Sequence, residues 1–198
     1  MEADLPGQTP PHAIGGWRSG LAFARHWSPD GRTLLLDRTG VLEEPFTIGA
    51  LGLGDSGEPK AFRHSTANEC NPRFSPDGKW VAFTSDQSGR DQVCVAGFPD
   101  PGTPRQVSVV HGMAPRWRRD GRELYYVEWT GRLMKVAVTP SPGGLEFGVP
   151  APLFRTRVFG VFGPCFDVAP DGRFLVSTVN DEGTSIILVQ NWIKELKR

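Results

Sequence analysis

The chain has 198 residues, 38% of them hydrophobic, and balances 22 lysines and arginines against 22 aspartates and glutamates. That is enough apolar material for one substantial core, and the charge balance argues against a nucleic-acid partner, which calls for an excess of positive charge. Three cysteines, Cys70, Cys94 and Cys165, cannot all pair within the chain and have no CxxC spacing, so they read as small buried apolar residues, not as a disulfide framework or a zinc site.

The longest apolar stretches, such as residues 185–189, fall far short of the roughly 20 residues that cross a bilayer, so membrane insertion is not expected. The start, Met1-Glu2-Ala3-Asp4, lacks a basic segment and an apolar run. Any export signal is therefore expected upstream in a longer parent, which leaves the compartment open, the periplasm included.

In chain order, residues 1–14 carry a proline-rich segment that resembles the later outer strands, and they are expected to form an outer strand of a preceding or closing blade. Four related segments then follow: HWSPDGRTLLL from His26, RFSPDGKWVAF from Arg73, RWRRDGRELYYV from Arg116 and DVAPDGRFLVS from Asp167. Their Asp-Gly pairs, Asp30-Gly31, Asp77-Gly78, Asp120-Gly121 and Asp171-Gly172, are 47, 43 and 51 residues apart, close to the roughly 40 to 50 residues of one propeller blade. Each copy ends a strand on Trp27, Phe74, Trp117 or Val168, reverses at the turn, and opens a second strand at a basic residue. Proline presets φ, Asp bonds nearby backbone amides, and Gly takes the left-handed conformation that other residues resist. The third copy, Arg118-Arg119-Asp120-Gly121, keeps the Asp-Gly without the proline.

The second strands, residues 33–37, 79–85, 122–128 and 173–179, have few polar interruptions and so predict burial on both faces. Third strands are expected near residues 46–53, 91–97, 131–138 and 184–190. Outer strands at 58–64, 103–109 and 149–155 contain Pro59, Pro104, Pro150 and Pro152, as suits an edge where a missing amide proton costs little. The fourth copy has no such strand, and residues 192–198 form a tail. The expected architecture is all-β: a propeller of about four four-stranded antiparallel blades, at residues 15–65, 66–110, 111–156 and 157–191, forming an open arc or part of a larger ring.

The four SPDG-type segments, FSPDGKWVAFTSD the nearest, resemble the WD40-like repeats of TolB-type propellers over essentially the whole chain. The end of the chain, with PLFRTRVFG, FDVAPDGRFLVS and IILVQNWIKELKR, is similar to propellers fused behind bacterial serine/threonine kinase domains. That likeness implies a sensor or interaction role in a larger bacterial protein. A propeller of this kind also caps prolyl oligopeptidases, which implies the alternative of an accessory module to a hydrolase or kinase. The chain has no glycine-rich phosphate loop before a lysine-bearing strand, no HRD or DFG triplet and no G-x-S-x-G elbow, so that chemistry would lie outside these residues.

The remaining candidates weigh toward binding. The Asp-Gly carboxylates fall one per blade, as turn caps do, rather than in one calcium loop. His12, His26, His64 and His111 show no local signature of a nucleophilic triad. Neither a cofactor, a metal nor a catalytic residue is expected. In propellers the inner strands line a central channel, so Arg25, His26, Asn71, Arg73, Arg116 and Asp167 are the candidate ligand-binding residues, with a protein or peptide as the partner. An open arc also exposes blade edges to self-association, with Trp17, Trp129 and residues 159–162 as candidate contacts.

Overall fold

The computed structural model describes residues 20–39, 44–54, 58–156, 166–180 and 183–189, all in strands, turns and loops. Residues 1–14, Trp17, Cys165, residues 159–162 and the tail at 192–198 lie outside them. Among the described residues no helix is long and apolar enough to cross a membrane.

Four antiparallel sheets follow one another along the chain. The first holds β1 (Leu21–Trp27), β2 (Thr33–Thr39), β3 (Thr47–Gly52) and β4 (Lys60–Ala61), paired in that order. The second repeats the order with β5 (Glu69–Phe74), β6 (Trp80–Ser85), β7 (Gln92–Gly97) and β8 (Arg105–Gln106). The third contains β9 (Met113–Trp117), β10 (Glu123–Val127), β11 (Arg132–Ser141), β12 (Gly144–Phe147) and β13 (Ala151–Arg155). Three strands, β14 (Phe166–Val168), β15 (Phe174–Asn180) and β16 (Gly183–Val189), make the fourth.

Two details depart from the sequence expectation. The outer strands β4 and β8 shrink to two residues each, because Pro59 and Pro104 have no N–H to extend the ladder. In the third sheet, β11 runs ten residues, pairing first with β13 and then with β12. The resulting β11–β12 hairpin is an addition that the repeat does not contain.

Side-chain alternation on the second strands divides the core. On β6, Val81 and Phe83 join Leu35, Ile48 and Phe74 between the first and second sheets. Ala82 points the other way, into a cluster with Leu124, Tyr126 and Val136. On β10, Tyr125 and Val127 turn toward Phe166, Phe174 and Val176 of the fourth sheet. β6 and β10 are thus apolar on both faces because the second and third sheets are covered on both, and each fully buried Leu, Val or Phe contributes about 1.5–3 kcal/mol. Edge-on aromatic pairs bridge two of the boundaries, Phe62 against Phe83 at 6.1 Å and Tyr125 against Phe174 at 5.0 Å.

The turns repeat with small variations. Gly31, Gly78, Gly121 and Gly172 have φ of 68°, 72°, 71° and 85°. Asp30, Asp77, Asp120 and Asp171 accept the N–H two residues on, at 3.0, 3.1, 3.0 and 3.2 Å. Ser28 and Ser75 add a second acceptor, taking the N–H of Thr33 and Trp80 at 2.9 and 3.0 Å. Cys70 and Cys94, expected to be buried, are half-buried. Desolvation still pushes their thiols up to about 12 and about 11, so both stay protonated and unreactive at neutral pH.

Candidate functional site

The innermost strands β1, β5, β9 and β14 each carry one residue two places before the turn's first residue: His26, Arg73, Arg116 and Asp167. All four line one cavity of about 590 Å³, together with Arg25, Arg119 and the aromatic rings of Trp27, Phe74 and Trp117. The cavity has the form of a mouth on which the same position of successive sheets converges.

Bulges aim these side chains. β5 and β9 each interrupt their register just before the arginine, and the bulged residues Asn71 and Ala114 have φ of 57° and 53°. A non-glycine residue rarely holds that conformation unless its surroundings fix it. Here the preceding sheet does so: Asn71 donates its backbone N–H to Asp37 at 3.1 Å, and Ala114 donates its own to Thr84 Oγ1 at 3.1 Å. Proline follows each bulge, at Pro72 and Pro115, so the ladder donor that the bulge disrupts is removed from the sequence as well.

Neighbouring sheets are also joined at the mouth. The backbone N–H of Phe74 donates to His26 Nδ1 at 3.2 Å, which requires the imidazole to be neutral at that nitrogen. Burial, then the charges of Arg73 and Arg116, lower the His26 pKa to about 4, so the acceptor persists at neutral pH. Arg73 donates from Nη1 to the Arg25 carbonyl, and Trp117 Nε1 donates to the Arg73 carbonyl at 3.2 Å. Arg25 Nε meets Asp37 Oδ2 at 2.5 Å, and Arg116 Nε lies 3.7 Å from Asp167 Oδ1. Arg73, half-buried like His26, has no carboxylate within ion-pair reach among the described residues. Desolvation first, and then Arg116, lower its pKa to about 10, which leaves it a cation at neutral pH.

Five of the six channel residues expected from sequence therefore share one mouth: Arg25, His26, Arg73, Arg116 and Asp167. Asn71 does not line it. The bulge turns Asn71 into the boundary between the first two sheets, where its Nδ2 meets Cys70 Sγ at 3.3 Å. Sequence reasoning missed Arg119, Trp27 and Trp117 as wall residues. The signal for Arg119 was its place in the third turn, where the other copies have proline. Trp129 is 58% exposed. No group of three or more His, Cys, Asp or Glu side chains among the described residues is placed to hold a metal ion.

No family model matches the chain. An uncharacterized protein of Agrobacterium fabrum, Atu1656, is 33% identical over 67 residues, which is 34% of this chain and 22% of that protein. Among solved structures, TolB from Acinetobacter baumannii superposes with a TM-score of 0.65 at 17% identity, over 84% of this chain and 40% of that one. A TolB assignment from Agrobacterium tumefaciens gives 0.62 at 17% identity, over 88% and 61%. Hydrazine synthase from Kuenenia stuttgartiensis gives 0.58 at 14% identity, over 83% and 57%. The fold is a TolB-like β-propeller, and the chain spans less than two thirds of the TolB chains that it matches.

Proposed function

We propose, on the premise of this TolB-like propeller fold, that the chain is a noncatalytic binding module that takes a protein or peptide at the channel mouth. It would serve as part of a larger bacterial sensor or signalling protein. The observation that carries the proposal is the convergence of His26, Arg73, Arg116 and Asp167, one from each blade, on a cavity of about 590 Å³. Such a site is assembled only when all four blades stack, and its polar groups converge between aromatic walls, as recognition sites require. A noncatalytic role is favoured because the one histidine at the mouth is occupied as an acceptor for the Phe74 N–H, and Ser75 Oγ is engaged with Asp77 at 2.5 Å. Neither is set up as the activated nucleophile and base of an acyl-transfer site.

The test is selection of peptides from a random displayed library on the immobilised chain, followed by affinity measurement against Trp27→Ala and Arg119→Ala. Both residues are exposed wall residues whose removal leaves the core intact. Selected peptides are expected to bind each variant several-fold more weakly. Unchanged affinity for both variants would move the binding surface elsewhere and overturn the proposal.

A further inference from the structure

The cationic side chains at the mouth outnumber the anionic ones. Arg25, Arg73, Arg116 and Arg119 line it against Asp167. Arg25 is matched by the buried carboxylate of Asp37 beneath it, and Arg116 lies beside Asp167 on the rim. Arg73 sits between them, half out of water, with one guanidinium nitrogen spent on the Arg25 carbonyl; among the described residues no carboxylate lies within ion-pair reach of it, and Asp167 and Asp37 act on it only from farther away. A partly desolvated cation without an anion is a costly arrangement. It is relieved when an incoming anion takes the remaining donors of the planar fork.

Resting on the peptide-binding proposal above, we infer that the mouth is a carboxylate site, in which Arg73 receives an acidic side chain of the bound peptide. A carboxylate suits the planar Arg73 fork, whose remaining donors lie in one plane and can meet two oxygens side by side. Trp27 and Trp117 flank the position and would cover the methylene stem of a glutamate. Exposed Arg119 adds attraction from the rim.

The experiment titrates the chain with an acetylated, amidated peptide containing three glutamates, with its glutamine counterpart, and with a phosphoserine counterpart, read by tryptophan fluorescence. Glutamate is expected to bind at least about tenfold tighter than glutamine, because only the carboxylate makes charge-assisted hydrogen bonds to the guanidinium. Arg73→Gln should reduce that ratio to within about twofold, and Arg73→Lys should keep part of it. Because Arg73→Gln also removes a bond between sheets, the wild-type chain is followed in parallel by NMR of its arginine Nε–H groups. The Arg73 signal is expected to move most on adding the glutamate peptide.

Equal affinity for glutamate and glutamine peptides overturns the carboxylate assignment while leaving peptide binding at the mouth standing. Tighter binding of the phosphoserine peptide overturns it in favour of phosphate. An unmoved Arg73 signal under saturating glutamate peptide overturns it as well.

Discussion

The backbone N–H of Asn71 donates to Asp37 Oδ2 across the boundary between the first and second sheets, and the same oxygen receives Arg25 Nε. One carboxylate thus caps a left-handed bulge and pairs a channel arginine. Asp37 is fully buried, and its other oxygen, Oδ1, has no hydrogen-bond partner. Burial raises its pKa against the pull of Arg25 and the Asn71 amide. Asp37→Ala is expected to destabilise the chain by about 3 kcal/mol or more, since it strands a guanidinium and an amide together. Urea unfolding of the two proteins checks this, and a loss below about 1 kcal/mol would mean that water replaces the carboxylate at little cost.

Thr84 holds the matching position one blade later. It pairs with Cys70 in the ladder as Asp37 pairs with Phe23, and it caps the Ala114 bulge. Thr84→Val keeps the shape and removes the acceptor, so a loss of about 1–2 kcal/mol is expected. Thr84→Ser should retain most of the stability. Equal stability of the valine and serine variants would show that the bulge holds without its cap.

The four turns, the second strands and the mouth were legible in sequence because each is local or repeats. The Asp-Gly pairs marked the period, and the residues just before them stood at equivalent positions whose convergence needed only the fold. The Asn71 placement was not legible, because a bulge moves one residue off its face without changing composition. Nor was the register of the fourth sheet. There Val168 pairs with Phe174 and Ala169 closes on Arg173, whereas Phe74 pairs with Val81 and Ser75 closes on Trp80. The fourth turn is one residue shorter than its motif suggests. A shift of one residue exchanges the faces of a strand, so Phe174 reaches the core and Leu175 is left 47% exposed.

Glycine at the turn can be separated from glycine in general by two substitutions. Gly78 has φ of 72°, and a Cβ there would stand 3.4 Å from Pro29 Cδ of the preceding turn, an ordinary contact. Its cost is therefore conformational, about 1–2 kcal/mol for Gly78→Ala. Gly143, in the loop between β11 and β12, has neither a positive φ nor any atom within 4 Å of a built Cβ, so Gly143→Ala should be neutral or slightly stabilising. Thermal denaturation of both variants measures the difference. A Gly78→Ala chain that melts with the wild type would remove the left-handed requirement from the turn.

His26 should make the joint between the first two blades sensitive to acid. Its folded pKa, about 4, lies below its ordinary value of 6.5, so between those values the unfolded chain binds the proton more readily. Stability from this group is fully present above pH 6.5 and is lost as pH falls toward 4. Protonation puts a hydrogen on Nδ1, which then repels the Phe74 N–H it had accepted, and sets a third cation beside Arg73 and Arg116 with Asp167 as the opposing charge. Asp37 works in the opposite sense, because its raised pKa means that its share of stability is lost as pH rises through its folded value. The two are separated by comparing wild type with His26→Gln in urea across pH 4 to 8. The variant is less stable at pH 8 if glutamine supplies a poorer acceptor, and the gap should narrow or reverse by pH 4.5. A gap that stays constant over this range would mean that His26 titrates alike in folded and unfolded chains, and that its bond to Phe74 does not join the blades.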